Sequence, residues 1–168
     1  QDEVGELIAG FNNLLEKLGR REAILKESER LLKESQTIAG LGSYALDIPT
    51  GYWTSSETLD SLLGIDASYV RSVPGWEALI HPDDRALMSQ FFKDQVIGRR
   101  QTFDKVYRIV RGCDQEVRWV HGLGRLRLDA NGQAVELHGT IQDVSDRHSK
   151  EDQIQSLAYS DPLTRLPN

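Results

Sequence analysis

The most reactive side chains in the sequence form a short cluster, His81-Pro82-Asp83-Asp84. An imidazole beside two carboxylates suggests metal binding or proton transfer. Three residues so close in sequence cannot face one point without a ligand from elsewhere, whereas aspartates are favourable in the first turn of a helix, where backbone N–H groups are free. The cluster therefore favours a helix start capped by the Asp pair over a metal or acid–base site.

The single cysteine and the other histidines give weaker signals. Cys113 has no cysteine partner, which excludes an internal disulfide and a multi-cysteine zinc site. His121 and His138 fall on segments with a strand pattern, where a solvated or hydrogen-bonded histidine is ordinary, and His148 is expected to be a solvated helix residue. The sequence predicts no catalytic constellation and no metal site.

Charge and hydropathy exclude further classes of protein. The 168 residues carry a formal net charge of -6. This charge argues against a nucleic-acid-binding surface, because neutralising phosphates requires clustered Lys and Arg. No run of residues approaches the ~18 apolar positions of a membrane span.

The elements that must position these groups centre on residues 103–145. Three runs rich in Val, Ile, Tyr, Trp and Leu alternate with charged residues, and polar breaks at Cys113 and at Asn131-Gly132 separate them. This pattern is typical of consecutive antiparallel hairpins. Upstream, residues 43–48 and 52–55 have the pattern of two paired strands with a turn between them.

Short helices are predicted after the first strand pair. Ser55 or Ser56 can cap a helix that Gly64 ends. The following residues are expected to form short helical pieces that are broken at Pro74-Gly75.

A longer helix is predicted from His81 to about Ile97, stopping at Gly98, with apolar candidates Ala86, Leu87, Phe91, Val96 and Ile97. The element order is thus two strands, several helices and three long strands. This order indicates an α+β domain in which helices cover a five-stranded antiparallel sheet.

Several motifs occur in a fixed order along residues 37–145: Trp53, His81-Pro82-Asp83-Asp84, Tyr107-Arg108, Val117-Arg118-Trp119-Val120, Gly139 and Asp143-Val144-Ser145. With the element order, they resemble a PAS domain of the PAS-3 type with its C-terminal PAC half. Two positions depart from the family: Asp114-Gln115 replaces the usual Asp-Gly of the hairpin, and Asp143-Val144-Ser145 replaces the common Asp-Ile-Thr. The resemblance implies a sensory fold that encloses a pocket.

The second long strand has two different faces. Val120, Gly122 and Gly124 share one face, and Trp119 and Leu123 share the other. By resemblance the glycine face looks into the pocket, whose candidate lining residues are Phe91, Val106, Val120, Gly122, Gly124 and Ile141. The apolar groups of the other face are expected to be covered by the N-terminal helix or a partner subunit. A filled core and a small-molecule site both fit this pattern.

The resemblance also bears on cofactors. Flavin-binding relatives use a reactive cysteine at the start of the long helix and an amide on the last strand, whereas Cys113 lies in a turn and Ile141 takes the strand position. Haem-binding relatives often use a histidine on the long helix, and residues 83–97 contain none. No cofactor is evident, and an unidentified small ligand remains open.

The N-terminal residues 2–34 have a helical pattern throughout. Apolar residues recur every seventh position at Val4, Phe11, Leu18, Leu25 and Leu32. The second apolar seam changes phase after Leu14, because Ile24 and Leu31 replace it. The length of the repeat favours a homodimeric coiled coil over a helix packed on its own domain.

Both ends of the chain resemble further families. Residues 1–18 resemble the second helix of a HAMP domain through Asp2-Glu3-Val4-Gly5, Leu7 and Phe11-Asn12. This resemblance implies an upstream membrane receptor. Residues 19–36 would then be a coiled-coil signalling helix. Residues 146–160 are predicted to be a linker helix. Asp161, Leu163, Thr164, Leu166, Pro167 and Asn168 in residues 161–168 resemble the start of a GGDEF domain.

These resemblances imply a non-catalytic module that relays a signal from a membrane receptor to a cyclic-di-GMP enzyme. Asp143 and Ser145 would join the last strand to the exit helix. The alternatives are an autonomous small-molecule, haem or flavin sensor and a pure dimerisation scaffold, and an EAL phosphodiesterase in the same protein stays open. The expected location is the cytoplasmic portion of an inner-membrane protein, which meets the membrane only through its other domains.

Overall fold

The computed structural model describes residues 2–159, and the chain divides into two units, Gln1–Ala39 and Gly40–Asn168. The first unit is one helix, α1 (Asp2–Ile38), of 37 residues, none of which is buried. It starts with Asp2 and Glu3, where acidic side chains stabilise the positive end of a helix. The predicted helix is therefore confirmed, and it extends four residues beyond the predicted stretch.

The second unit is built on one five-stranded antiparallel sheet. Its strands are β1 (Leu41–Asp47), β2 (Tyr52–Ser55), β3 (Phe103–Val110), β4 (Val117–Leu128) and β5 (Ala134–Asp143). The spatial order is β2-β1-β5-β4-β3, so the last strand in sequence lies in the centre. The α+β prediction with a five-stranded antiparallel sheet is confirmed.

Four helices and a π-helical segment complete this unit. They are α2 (Glu57–Leu63), α3 (Val73–Leu79), α4 (Pro82–Phe91), the π-helical segment Phe92–Gly98, and α5 (Ser145–Tyr159). Ser56 caps α2 by accepting a hydrogen bond from the N–H of Leu59 at 3.3 Å, and Gly64 ends it in the left-handed region at φ 66°. Both predicted boundaries of α2 are confirmed.

Two helical predictions need correction. Pro74 lies in the first turn of α3, where its missing N–H costs nothing, so Pro74-Gly75 starts a helix and does not break one. The longer helix changes to π geometry at Phe92. The buried side chains recur every fourth residue at Met88, Phe92 and Val96, whereas Leu87, a predicted apolar contact, is 68% exposed.

The turns follow the sequence signals. Gly51 and Gly132 have φ values of 74° and 76°, which only glycine adopts without strain. In the β3–β4 hairpin, Gln115 takes the left-handed conformation at φ 63°. Gln115 occupies the position where the hairpin of the family that the sequence resembles usually has glycine, and its Cβ atom makes this left-handed conformation unfavourable.

One close contact fixes the centre of the sheet. Gly139 of β5 pairs with Gly124 of β4. A Cβ atom at Gly139 would overlap the carbonyl oxygen of Leu123 and would lie 2.7 Å from the Cα atom of Gly124. Because these are backbone atoms in the middle of a ladder, they cannot move aside without breaking the pairing.

We therefore expect Gly139→Ala to destabilise the second unit strongly, by about 3 kcal/mol or more, at the upper end of overpacking costs. The measurement is the midpoint of urea unfolding followed by tryptophan fluorescence. Gly10→Ala in α1 is the matched control, because its added methyl group meets nothing within 4 Å. Equal midpoints for the Gly139 variant and the parent chain would contradict this account.

Candidate functional site

A small cavity lies between the sheet and the helices that cover it. Its volume is about 50 Å³, and its walls are almost entirely apolar. The lining residues come from four strands (β1, β2, β3 and β5), from α2 and α3, and from the π-helical segment: Tyr44, Leu46, Trp53, Leu59, Leu63, Val73, Trp76, Phe92, Phe103, Tyr107, Leu137 and Ile141. Pockets that enclose drug-sized ligands have volumes of roughly 300–1,000 Å³, so a porphyrin or an isoalloxazine ring does not fit here unless side chains move.

The cavity is small because aromatic rings occupy the space above the β4 glycines. A Cβ atom at Gly122 would lie 2.8 Å from Cε1 of Phe103, and one at Gly124 would strike the hydroxyl of Tyr44. The sequence analysis expected these missing side chains to leave room for a ligand. That room is taken by the chain's own rings.

An aromatic cluster around Trp76 forms one wall. Its ring meets Phe92, Phe103 and Tyr107 edge to face, with centroid distances of 5.7, 6.1 and 6.3 Å. Its Nε1–H also donates a hydrogen bond of 3.2 Å to the Tyr107 hydroxyl. Edge-to-face pairs add roughly 0.5–1.5 kcal/mol each to the burial of the rings, so this wall is rigid.

Four of the six candidate pocket residues lie on the cavity side of the sheet. Ile141 lines the cavity. Val120, Gly122 and Gly124 are buried on the same side of β4 but lie behind the rings that form the wall.

The other two candidates are placed differently. Phe91 is half-buried and packs against Phe103 at 5.6 Å, while the lining residue from this region is its neighbour Phe92. Val106 is 49% exposed on the outer face of β3, so its assignment to the pocket is corrected. Strand alternation from Phe103 places Tyr107 inward and Val106 outward, and this signal identifies Tyr107 as the missed lining residue.

The cavity holds two neutral phenols. Burial raises the pKa of Tyr107 to about 12, although the hydrogen bond from Trp76 opposes this shift. Burial, and to a lesser degree the neighbouring Tyr107, raise the pKa of Tyr44. Both hydroxyl groups therefore remain protonated near neutral pH, and no charged side chain is among the lining residues.

A second cluster joins the end of the sheet to the exit helix α5. The Ser145 hydroxyl accepts a hydrogen bond of 3.0 Å from the N–H of Trp119, and the N–H of Val144 donates to the Trp119 carbonyl at 2.9 Å. The Asp143 carboxylate accepts from the N–H of Ser145 at 2.9 Å and from the Arg118 guanidinium at 3.1 Å. Asp143 and Ser145 thus hold the first turn of α5 against β4.

Trp119 itself is covered by α5. The His148 ring stacks on the Trp119 indole with centroids 3.9 Å apart and planes 8° apart, and the His148 Nδ1 lies 3.2 Å from an Asp152 carboxylate oxygen. The Arg108 guanidinium lies 5.5 Å from the Trp119 ring centroid. His148 is therefore a packing residue and not the solvated one expected. At Trp119 the cover is the exit helix, in place of the predicted N-terminal helix or partner subunit. Leu123 remains 40% exposed.

The family model described as a PAS fold matches residues 52–141. This match covers more than half of the chain. The chain belongs to the PAS fold family.

Solved structures of other PAS proteins have the same fold. The chain is similar to a sensory box histidine kinase/response regulator from Burkholderia thailandensis, with 24% identity, coverage of 76% of this chain and 94% of that chain, and a TM-score of 0.63. It is also similar to the N-terminal domain of a diguanylate cyclase with a PAS/PAC sensor from Marinobacter aquaeolei, with 21% identity, coverage of 64% and 98%, and a TM-score of 0.60.

A curated relative is much longer than this chain. The uncharacterised protein y4lL of Sinorhizobium fredii is 28% identical over 152 residues, which are 82% of this chain. The chain spans 18% of the length of that relative.

The acidic cluster that opens α4 has a structural role in this PAS domain. His81 is the residue that caps α4, because its Nδ1 accepts a hydrogen bond of 3.3 Å from the N–H of Asp83. Asp84 instead accepts hydrogen bonds of 3.0 Å from both the backbone N–H and the Nε–H of Arg108 on β3. The capping role predicted for the Asp pair is therefore corrected, since Asp84 ties α4 to the sheet.

Residues 2–159 contain neither a metal-binding cluster nor a membrane-spanning helix. This part of the chain holds no group of three or more His, Cys, Asp or Glu side chains arranged to bind a metal ion. None of the helices in the same range combines the length and the apolar character that crossing a bilayer requires.

The Asp84–Arg108 pair predicts a pH dependence. Hydrogen bonds from the Arg108 guanidinium hold the pKa of Asp84 below its ordinary value. A lowered carboxyl pKa contributes stability that is complete above the unfolded value of about 4 and is lost as the pH falls through the lower folded value. We expect Asp84→Asn to lower the free energy of unfolding by roughly 1–3 kcal/mol at pH 7, and the difference from the parent chain to shrink towards pH 3.

Urea unfolding at pH 7, 5 and 3 measures this difference. Asp83→Asn is the matched control, because the Asp83 side chain is 74% exposed and should change stability little at any pH. A deficit in Asp84→Asn that stays constant from pH 7 to pH 3 would contradict the assigned role of the carboxylate.

Proposed function

We propose that this PAS domain is a non-catalytic sensory and dimerisation module that relays a signal from an upstream membrane receptor to a downstream GGDEF domain. The observation that carries the proposal is the set of hydrogen bonds around Asp143 and Ser145, which joins β4 and β5 to the first turn of the exit helix. A change in the sheet would therefore alter the direction of α5. Such a change can begin at the cavity between the sheet and the helices, because Ile141 lies in the cavity wall two residues before Asp143.

The choice of output domain rests on two lines of support. The Marinobacter relative is described as part of a diguanylate cyclase with a PAS/PAC sensor. Residues 161–168 resemble the start of a GGDEF domain, and they lie outside the described residues. The longer protein would then make cyclic-di-GMP, with or without an additional EAL domain. The Burkholderia relative is a histidine kinase, so a kinase output is the competing possibility that an activity assay must separate.

The input side of the proposal rests on α1. Val4, Phe11, Leu18, Leu25 and Leu32 form an apolar stripe at seven-residue spacing, and each is at least half exposed. A stripe of this kind is buried when two helices pair. We propose a homodimer through α1, in which residues 1–18 are the end of a HAMP domain and residues 19–36 a signalling coil, on the cytoplasmic side of an inner membrane.

The dimer can be tested with one charge in the stripe. We expect Leu18→Glu to convert the 168-residue chain from dimer to monomer, because it places a carboxylate at the centre of the helix pair. Light scattering coupled to gel filtration should show the mass fall by half. The control Lys17→Glu changes charge at the adjacent polar position and should leave the dimer intact. A monomeric parent chain would reject the proposal.

The relay can be tested in the full-length protein. We expect Ser145→Ala and Asp143→Asn each to change cyclic-di-GMP synthesis from GTP, or its response to the signal, by about threefold to tenfold, since each removes one or two hydrogen bonds that fix α5. Asp104→Asn is the control, because this exposed carboxylate pairs with His121 on the sheet and does not contact the exit helix.

Two results would count against the relay. Unchanged synthesis and response in both variants would mean that the contacts at Asp143 and Ser145 do not transmit the signal. If the full-length protein shows phosphotransfer and makes no cyclic-di-GMP, its output domain is a kinase and not a GGDEF domain.

A second candidate is an autonomous sensor of a small molecule, and the apolar cavity between sheet and helices favours it. In that case ligand binding alone would change the domain, and the upstream segments would serve only for assembly.

A further inference from the structure

The Tyr107 hydroxyl has one hydrogen-bonding capacity that the protein does not use. A phenol both donates and accepts. The Tyr107 oxygen accepts from Nε1 of Trp76 at 3.2 Å, and among residues 2–159 no group accepts its own proton. The side chain is 2% exposed and lies in the cavity wall. A buried donor without an acceptor is destabilising, so an acceptor placed in the cavity is favoured.

The other polar groups of the lining already donate. The Tyr44 hydroxyl donates to the Leu123 carbonyl at 3.1 Å, and Nε1 of Trp53 donates to the Ser72 carbonyl at 2.7 Å. The lining contains no Asp, Glu, Lys, Arg or His. An ion would therefore lose its hydration without a counter-charge, whereas a neutral molecule would not.

The volume limits the size of the occupant. A cavity of about 50 Å³ compares with the roughly 10–15 Å³ that one water molecule needs on this scale. There is room for about four groups of the size of water, which corresponds to a molecule of about four to six non-hydrogen atoms.

We propose that the cavity binds a neutral molecule of this size that is apolar except for one oxygen, which accepts the Tyr107 proton. Short ketones and ethers have this chemistry, and short carboxylates do not. The proposal rests on the sensory role given above and names the class of ligand for it. The occupant would contact Ile141 on β5, and could thereby displace the strand that continues to Asp143.

Methyl-detected NMR of the whole 168-residue chain tests this proposal with three probes. They are 2-butanone, its hydrocarbon isostere 2-methyl-1-butene, and propionate. We expect 2-butanone to shift the Ile141 and Leu137 methyl signals saturably and to bind about threefold to tenfold more tightly than the isostere, the gain of one hydrogen bond. Propionate at pH 7 should leave these signals unchanged.

Tyr107→Phe removes the phenol donor and keeps the ring, and this variant also carries Trp76→Phe, because the Nε1–H that Tyr107 no longer accepts could otherwise bind the ketone. In this variant, the preference for 2-butanone over 2-methyl-1-butene should disappear, while Tyr52→Phe, at an exposed position, should retain it. The spectrum of each variant reports whether it is folded, and the comparison of probes on the parent chain stands without the variants.

The proposal is overturned if 2-butanone gives no saturable shift, if propionate binds as well, or if the variant with both Tyr107→Phe and Trp76→Phe keeps the preference. None of these results depends on the output domain. A negative titration combined with altered cyclic-di-GMP synthesis in Ser145→Ala would remove the ligand class and leave the relay standing.

Discussion

The packing of aromatic rings against the glycine face of β4 is the constraint on which the rest of the PAS domain depends. Phe103 and Tyr44 reach over Gly122 and Gly124 because those positions carry no side chain. The same rings set the size of the cavity, since they fill most of the space between sheet and helices. The absence of β4 side chains therefore does not by itself indicate a large pocket.

Cavity and exit cluster are connected by a single strand. On β5, Ile141 faces the cavity and Asp143 follows two residues later on the same side of the strand. The backbone between them is paired with β4 along its whole length. In the relay proposed above, this paired segment would carry a change in the cavity wall to the carboxylate that holds the first turn of α5.

Local chemistry was readable from the sequence, and tertiary placement was not. Ser56, Gly64 and Gly132 act through neighbours in the chain, and each occupies the cap or turn predicted for it. Phe92 lies on the helix face of the buried Met88, four residues earlier, whereas the predicted lining residue was its neighbour Phe91, because the tertiary contacts that separate the two rings are not local. Asp84 does not cap the helix as predicted, because its carboxylate forms a charge-assisted hydrogen bond with Arg108, 24 residues later in sequence.

The exit helix has two different surroundings along its length. His148 is stacked on the sheet, whereas Ile154 and Leu157 are 66% and 76% exposed. Each residue of an α-helix turns the chain by about 100°, so a single deletion between His148 and Ile154 would swing the distal pair to another side. Seven added residues would return it to within about 20°. The number of residues between His148 and the exposed pair Ile154 and Leu157 therefore determines which side of α5 the pair faces relative to the sheet.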